Sequence, residues 1–251
     1  MNDLRPYMQF AKYYDLYVGD FDTDLPLYIS GCKDRRRIVE IGCGTGRVLA
    51  ALVNAGYQVT GVDISDEMLR MAEAKLRNRI IDGTVRLINH NFVNAPMIEG
   101  FDCALVTFYT FNYLLEEQDQ RSFLANLERS MADGGVFIAD LFFPAALVSP
   151  ETTGRWKESV MESEVMTVRV RDRREMVGSI ERREQVYIEH GQEQAITTLR
   201  RFVTKQQMEK LLQEAGFRSI RFVDRYDIDT VHELKPEETT TSSYVVMAEK
   251  G

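Results

Sequence analysis

The sequence predicts an α/β fold, a doubly wound and mostly parallel sheet carrying an antiparallel β insertion. Segments of strand and helix periodicity alternate from residue 37 to residue 141, the pattern of strands joined by right-handed helical crossovers. Phe101 to Phe108 is an almost unbroken apolar run, as in a central strand covered on both faces. From Pro150 to Val203 the apolar residues instead recur with period two, the mark of half-buried antiparallel strands.

Taken in order, Arg37 to Ile41 is the first strand and runs into the glycine cluster Gly42, Gly44 and Gly46. Val48, Leu49, Leu52 and Val53 then fall on one helical face, and Gly56 stops that helix in a left-handed cap. Gln58 to Val62 closes on Asp63. A second helix carries Met68, Leu69, Ala72 and Leu76 on its apolar stripe. Thr84 to Ile88 and Phe101 to Phe108 are the next strands. Phe123, Leu124, Leu127 and Met131 mark a helix ending near Gly134, and Gly135 to Leu141 is the fifth strand.

In the insertion, Val165 to Val170 and Gln185 to Ile188 alternate, and His190 and Gly191 form a hairpin turn. Thr204 with Gln207 makes a capping-box pattern; Met208, Leu211, Leu212 and Ala215 form the buried stripe that follows, and Gly216 ends it. Phe217 to Val223 and Ser243 to Ala248 bring the sheet to seven strands. The organisation expected is one domain over 1–251, with an N-terminal lid at 1–30, a core at 31–149 and 204–251, and the insertion at 150–203.

The composition is that of a globular chain, 44% hydrophobic and 28% charged over 251 residues. A formal net charge of -8 opposes extended contact with phosphate backbones, whose binding draws on Lys and Arg. No nucleic-acid partner is expected. The sequence has neither the apolar run of roughly 20 residues that a membrane helix needs nor a signal-peptide layout at Met1 to Phe10, so the expected location is the cytoplasm and no membrane partner is expected. Cys32, Cys43 and Cys103 lack metal or redox spacing and read as reduced core thiols. His90 has no second ligand at helical or hairpin spacing, and no metal site is expected.

The chemistry concentrates in VEIGCGTGR, residues 39–47. Glycines at a strand-to-helix turn let main chain approach a ligand closely, and the first-turn amides present a mildly positive surface. A dinucleotide loop has GxGxxG spacing; here Arg47 takes the sixth position, and no GK[ST] follows as in a P-loop. Asp63, about 20 residues after the first glycine at the end of the second strand, is placed to accept from ribose hydroxyls.

VEIGCGTGR, GVDIS (61–65), FDCALVTF (101–108) and MADGGVFIADLF (131–142) together resemble, in order and spacing, the motifs of the class I, Rossmann-like S-adenosylmethionine-dependent methyltransferases, across nearly the whole chain. The resemblance implies a reversed last strand and a bound S-adenosyl-L-methionine. Gly42, Gly44 and Gly46 would face the methionine portion with Glu40 beneath it, Cys43 between them would also belong to the cofactor site, Asp63 would hold the ribose, and Ile64 and Met68 would flank the adenine. The family often has Gly-Asp after the third strand; here His90 and Asn91 stand there, and Asn91 offers its carbonyl oxygen, Phe92 an NH and an apolar face.

FAKYYDLY (10–17), FYTFNYL (108–114) and DLFFP (140–144) are similar to the lid, the segment after the fourth strand and the acceptor-side loop of the small-molecule subgroup that includes glycine N-methyltransferase-like and amino-sugar N,N-dimethyltransferase-like enzymes. Tyr14 and Phe108 are thereby assigned to the cofactor. Tyr109, Tyr113 and Asp140 become candidates to hold or deprotonate the acceptor. Tyr13, Tyr14 and Tyr17 serve either as a lid or as helix packing, and Asp140 either holds an acceptor amine or caps a loop. The activity implied is methyl transfer to a nitrogen or oxygen of a small molecule. RNA or protein methylation and a non-catalytic adenosylmethionine-binding scaffold are the alternatives. Exposed strand edges in the insertion offer a surface for a homodimer.

Overall fold

A computed structural model describes residues 5–143, 153–164, 166–224, 226, 233–234 and 243–251. The expected start of the lid at residues 1–4, the start of the insertion at 150–152, Val165 and Pro144 lie outside the described residues. Two helices open the chain, α1 (Arg5–Val18) and α2 (Leu25–Gly31). The alternating half follows as β1 (Ile38–Ile41), α3 (Arg47–Asn54), β2 (Val59–Asp63), α4 (Asp66–Ile81), β3 (Val85–Asn89), β4 (Phe101–Val106), a 3-10 turn at Thr110–Tyr113, α5 (Glu117–Ser130) and β5 (Met131–Phe142). The insertion comprises β6 (Lys157–Glu162), β7 (Thr167–Val177), β8 (Ile180–Glu189) and β9 (Gln192–Arg201), after which come α6 (Lys205–Ala215), β10 (Phe217–Asp224), β11 (Glu233–Leu234) and β12 (Ser243–Lys250).

The main sheet runs β11-β10-β12-β5-β4-β1-β2-β3. β1 to β5 pair in parallel, whereas β12 lies antiparallel between β5 and β10. This is the expected seven-stranded sheet with its reversed last strand, extended by the two-residue β11. The fifth strand starts earlier than the periodicity predicts: β5 begins at Met131, and its register against β4 shifts between Met131 and Val136. A bulge around Gly134, at φ 69°, absorbs the extra residues.

Strand alternation sends Val39, Ala104, Val106, Phe137 and Ala139 to one face, under α5 and α6. Ile38, Cys103, Leu105 and Ile138 go to the other, under α2 and α3. The insertion is a separate four-stranded antiparallel sheet, β6-β7-β8-β9, turned at His190 and Gly191, both at positive φ. Its buried face meets α1 through Tyr13, Val168, Val170, Tyr187 and Ile196. Tyr13 stacks flat on Tyr187 with ring centroids 4.2 Å apart.

Candidate functional site

The carboxyl ends of β1, β2 and β4 open onto a cavity of about 470 Å³, the crevice where open parallel sheets bind ligands. Gly42 and Cys43 donate their N–H groups to the Val62 carbonyl at 2.7 and 3.0 Å, which ties the loop after β1 to the end of β2. Gly42 is at φ 74°, and a Cβ there would meet the Thr110 side chain at 2.4 Å. Gly44, at φ 54°, lies against the ring of Tyr14. Only glycine combines those dihedrals with that closeness. Asp63 locks the arrangement, its Oδ2 accepting from the Gly44 N–H and its Oδ1 from the Ser65 N–H, each at 2.9 Å. Burial pushes this carboxyl up, and those same amides pull it back.

Gly42, Gly44, Asp63, Ile64, Met68, Asn91, Phe92, Phe108, Tyr109, Tyr113 and Tyr14 all line the cavity. Asn91 spends part of its accepting capacity locally, since its Oδ1 takes the Val93 N–H at 2.9 Å. The His90 ring bonds the Ala95 carbonyl through Nε2 at 2.8 Å and packs edge-on against Phe92. Phe108 and Tyr109 have φ of 50° and 67°, and this left-handed turn sets their stacked rings over the cavity.

Four expected site residues stand behind the lining. Cys43 is a buried core thiol, its Sγ 3.1 Å from where a Cβ on Gly61 would sit. Gly46, at φ 84°, makes room for α4, because a Cβ there would come within 2.9 Å of Leu76. Asp140 is fully buried and clamped by two hydroxyls, Tyr28 donating to Oδ1 and Tyr226 to Oδ2 at 2.7 Å each. Burial raises its carboxyl to about 6. Glu40 is 1% exposed, and its Oε1 accepts from Thr107 at 2.7 Å. Its Oε2 is buried with no hydrogen-bond partner among the described residues, and burial pushes the carboxyl up to about 8. A buried acceptor beside a glycine cradle fits a ligand that brings a donor or a positive charge to it.

Residues 38–135 match the family model described as a methyltransferase domain. Over that stretch, less than half of the chain, it is similar to methyltransferase domains. A protein of Geobacillus sp. (strain WCH70) named "putative methyltransferase" is 30% identical over 142 residues, which cover 54% of this chain and 57% of that protein. The chain spans about half the length of the curated relatives it matches. Among solved structures, an S-adenosylmethionine-dependent methyltransferase from Clostridium acetobutylicum ATCC 824 superposes with a TM-score of 0.79 at 20% identity, over 98% of this chain and 99% of that one. A sugar N-methyltransferase from Streptoalloteichus sp ATCC 53650 gives 0.72 at 18% identity, over 94% and 92%. At these identities the structures establish the fold, and the fold agrees with the expected class I architecture.

Beyond the matched residues, the insertion supplies a wall of the cavity that sequence reasoning did not assign. Arg183 and Gln185 reach it from β8, Thr198 and Arg200 from β9. From sequence alone the paired arginines Arg173 and Arg174, Arg182 and Arg183, and Arg200 and Arg201, interleaved with Glu175, Glu181 and Glu184, read as a solvated strand surface. Strand alternation divides them: Arg182 is half exposed on the outer face, whereas Arg183 and Arg200 are buried at 8% and 6% exposure. Asp172 takes Arg183 through Nε and Nη2, and Glu181 takes Arg200 through Nε and Nη2. The available signal was the period-two placement of Arg183 with Gln185 and Tyr187, a buried row in which each polar member needs a partner.

Proposed function

We propose that this chain transfers a methyl group from S-adenosyl-L-methionine to a nitrogen or oxygen of a small molecule by direct in-line displacement. The observation that carries the reading is the convergence of the glycine loop and Asp63, with the buried, half-satisfied Glu40 behind them, on a cavity whose remaining walls are the aromatic lid and the insertion. In it, Gly42 and Gly44 expose main chain toward the methionine portion, Glu40 faces the ammonium, Asp63 the ribose, and Ile64 and Met68 the adenine. Bound there, the cofactor supplies a methyl group already activated on a sulfonium. The protein's task is positioning, which contributes on the order of 7–11 kcal/mol at best when a near-attack geometry is held in a dry site.

A small acceptor is favoured because Tyr14, Tyr17, Phe108, Tyr109 and Tyr113 crowd the cavity. An RNA substrate calls for a run of unpaired basic side chains, and the insertion's arginines Arg171, Arg173, Arg174, Arg182, Arg183 and Arg200 each pair with a carboxylate. The outer edge of β6 is the surface a second copy would cover in a homodimer, and light scattering on the eluting species decides that point. No helix among the described residues is long and apolar enough to cross a membrane.

Isothermal titration with adenosylmethionine and, separately, NAD tests the cofactor; binding of adenosylmethionine alone is expected, and binding of NAD alone overturns the proposal. Asp63→Ala should weaken adenosylmethionine by roughly 1.5–3 kcal/mol, the range for a hydrogen bond to a charged group. A panel of small amines and alcohols then separates an enzyme from a scaffold that binds without turnover.

A further inference from the structure

Two tyrosines face the cavity from different elements, Tyr17 from the last turn of α1 and Tyr113 from the 3-10 turn after β4. Their surroundings differ in kind. The Tyr17 hydroxyl oxygen accepts a hydrogen bond from Arg183 Nη1 at 3.0 Å, and the same guanidinium lies 5.2 Å from the Tyr17 ring centroid. Because the oxygen accepts there, its own hydrogen points elsewhere. On the inner face of the insertion sheet, Arg174 stands opposite Arg183 across β7 and β8, and Arg200 opposite Glu181 across β8 and β9. Against those three cations this row sets two carboxylates among the described residues, Asp172 and Glu181. The excess is positive, and it faces Tyr17.

We propose that Tyr17 is the proton acceptor of the reaction, held as an incipient phenolate by Arg183 within an arginine-rich wall, and that Tyr113 remains a protonated donor beside it. The assignment rests on the methyl transfer proposed above and names a base for it. Burial alone would push the Tyr17 hydroxyl up, but Arg183, with Arg200 and Arg174 behind it, outweighs burial and holds it below the ordinary tyrosine value. For Tyr113, burial dominates and pushes the hydroxyl up, against the pull of Arg200 and Arg183 and with Tyr17 and Glu181 adding to the rise. Paired titratable groups driven apart by their environments are how a site separates its base from its acid. In balance, Tyr17 first releases its own proton to solvent; the acceptor nitrogen or oxygen then bonds the methyl carbon as the carbon–sulfur bond breaks, its electron pair staying on sulfur, and the acceptor's proton passes to the Tyr17 phenolate oxygen. The wall also disfavours a protonated amine, so the uncharged, nucleophilic form is the one admitted.

The test is an ultraviolet titration of tyrosinate in the full chain. Of the 11 tyrosines, one should ionise below the ordinary tyrosine range, and Tyr17→Phe should remove that step alone while adenosylmethionine affinity, measured on the same sample, stays within twofold. Arg174→Gln leaves the hydroxyl in place and should move the step to higher pH. On any acceptor the panel turns over, Tyr17→Phe should lower kcat/KM by about 10²-fold or more, the range of general-base catalysis, and flatten the low-pH limb of the profile. Persistence of the early step in Tyr17→Phe, its absence from the wild type, or an unchanged pH profile overturns the assignment. Loss of adenosylmethionine binding by the wild type would instead overturn the cofactor reading and leave the titration standing.

Discussion

Glu40 carries the sharpest consequence at the scale of a single residue. Its folded value of about 8 lies above the ordinary 4.5, so between those limits the folded chain holds a proton that the unfolded chain has lost. The contribution to stability is therefore absent below pH 4.5, becomes a growing penalty as pH rises toward 8, and is the reverse of the usual carboxylate case. Glu40→Gln should abolish this slope, so that its stability relative to the wild type improves steadily across the window in denaturant titrations. When a positive group docks on Oε2, the proton should leave. Adenosylmethionine binding near pH 7 is expected to release a proton, seen as a dependence of calorimetric enthalpy on the buffer's ionisation enthalpy, and a buffer-independent enthalpy would refute it. Glu40 and Asp63 were legible in the sequence because both sit beside a local signal, a glycine loop and a strand end. Asp140 was named from its strand end, but the clamp on it was not legible, because the groups that form it, Tyr28 and Tyr226, lie 112 and 86 positions away and no periodicity relates them.

Elements were legible in proportion to how local their determinants are. The capping box of α6 forms as read, with the Gln207 N–H on Thr204 Oγ1 and the Thr204 N–H on Gln207 Oε1, and Gly216 ends the helix at φ 101°. By contrast α2, seven residues long, is too short to show a helical period and went unread. What holds it is tertiary: Asp24 at its start, 0% exposed, receives Arg47 through two bonds of 2.7 and 2.5 Å. Arg47 also donates to the Phe21 carbonyl and lies over the Phe108 ring. The residue that excludes a dinucleotide loop thus ties the first turn of α3 to the segment leading into α2. Asp24→Ala leaves a largely buried guanidinium uncompensated and should cost about 3–5 kcal/mol. Chemical denaturation of Asp24→Ala and of the double variant Asp24→Ala/Arg47→Met checks this, with the double variant expected to recover part of the loss. No recovery would mean that the Arg47 contacts, not its unpaired charge, dominate.

Across the whole molecule, the lid and the insertion behave as one unit laid over the sheet. Their small shared core, with Tyr13 stacked on Tyr187, is separate from the two cores flanking the main sheet. Polar links reinforce it: Lys12 pairs with Glu189, Tyr13 donates to Gln194 at 3.3 Å, and Tyr17 receives Arg183. Toward the sheet domain α1 is held, among the described residues, by Asp15, which accepts from Thr45 at 2.5 Å and from Lys75 of α4 at 3.0 Å, and by Tyr14, which lies against Gly44 and edge-on to Phe108. The lid should therefore open when the insertion lets it go, without the sheet unfolding. Tyr187→Ala deletes the stacked ring, and truncating a buried aromatic costs about 3–5 kcal/mol. Segments with few contacts outside one small cluster open independently of the global transition. Amide exchange is accordingly expected to rise by roughly 10²-fold or more over α1 while β1, β4 and β5 keep their protection. Because Tyr14 and Tyr17 ride on α1, the same variant should weaken adenosylmethionine and shift the Tyr17 titration toward its ordinary value together. Exchange that rises equally in α1 and the central strands would show instead that lid, insertion and sheet form one cooperative body.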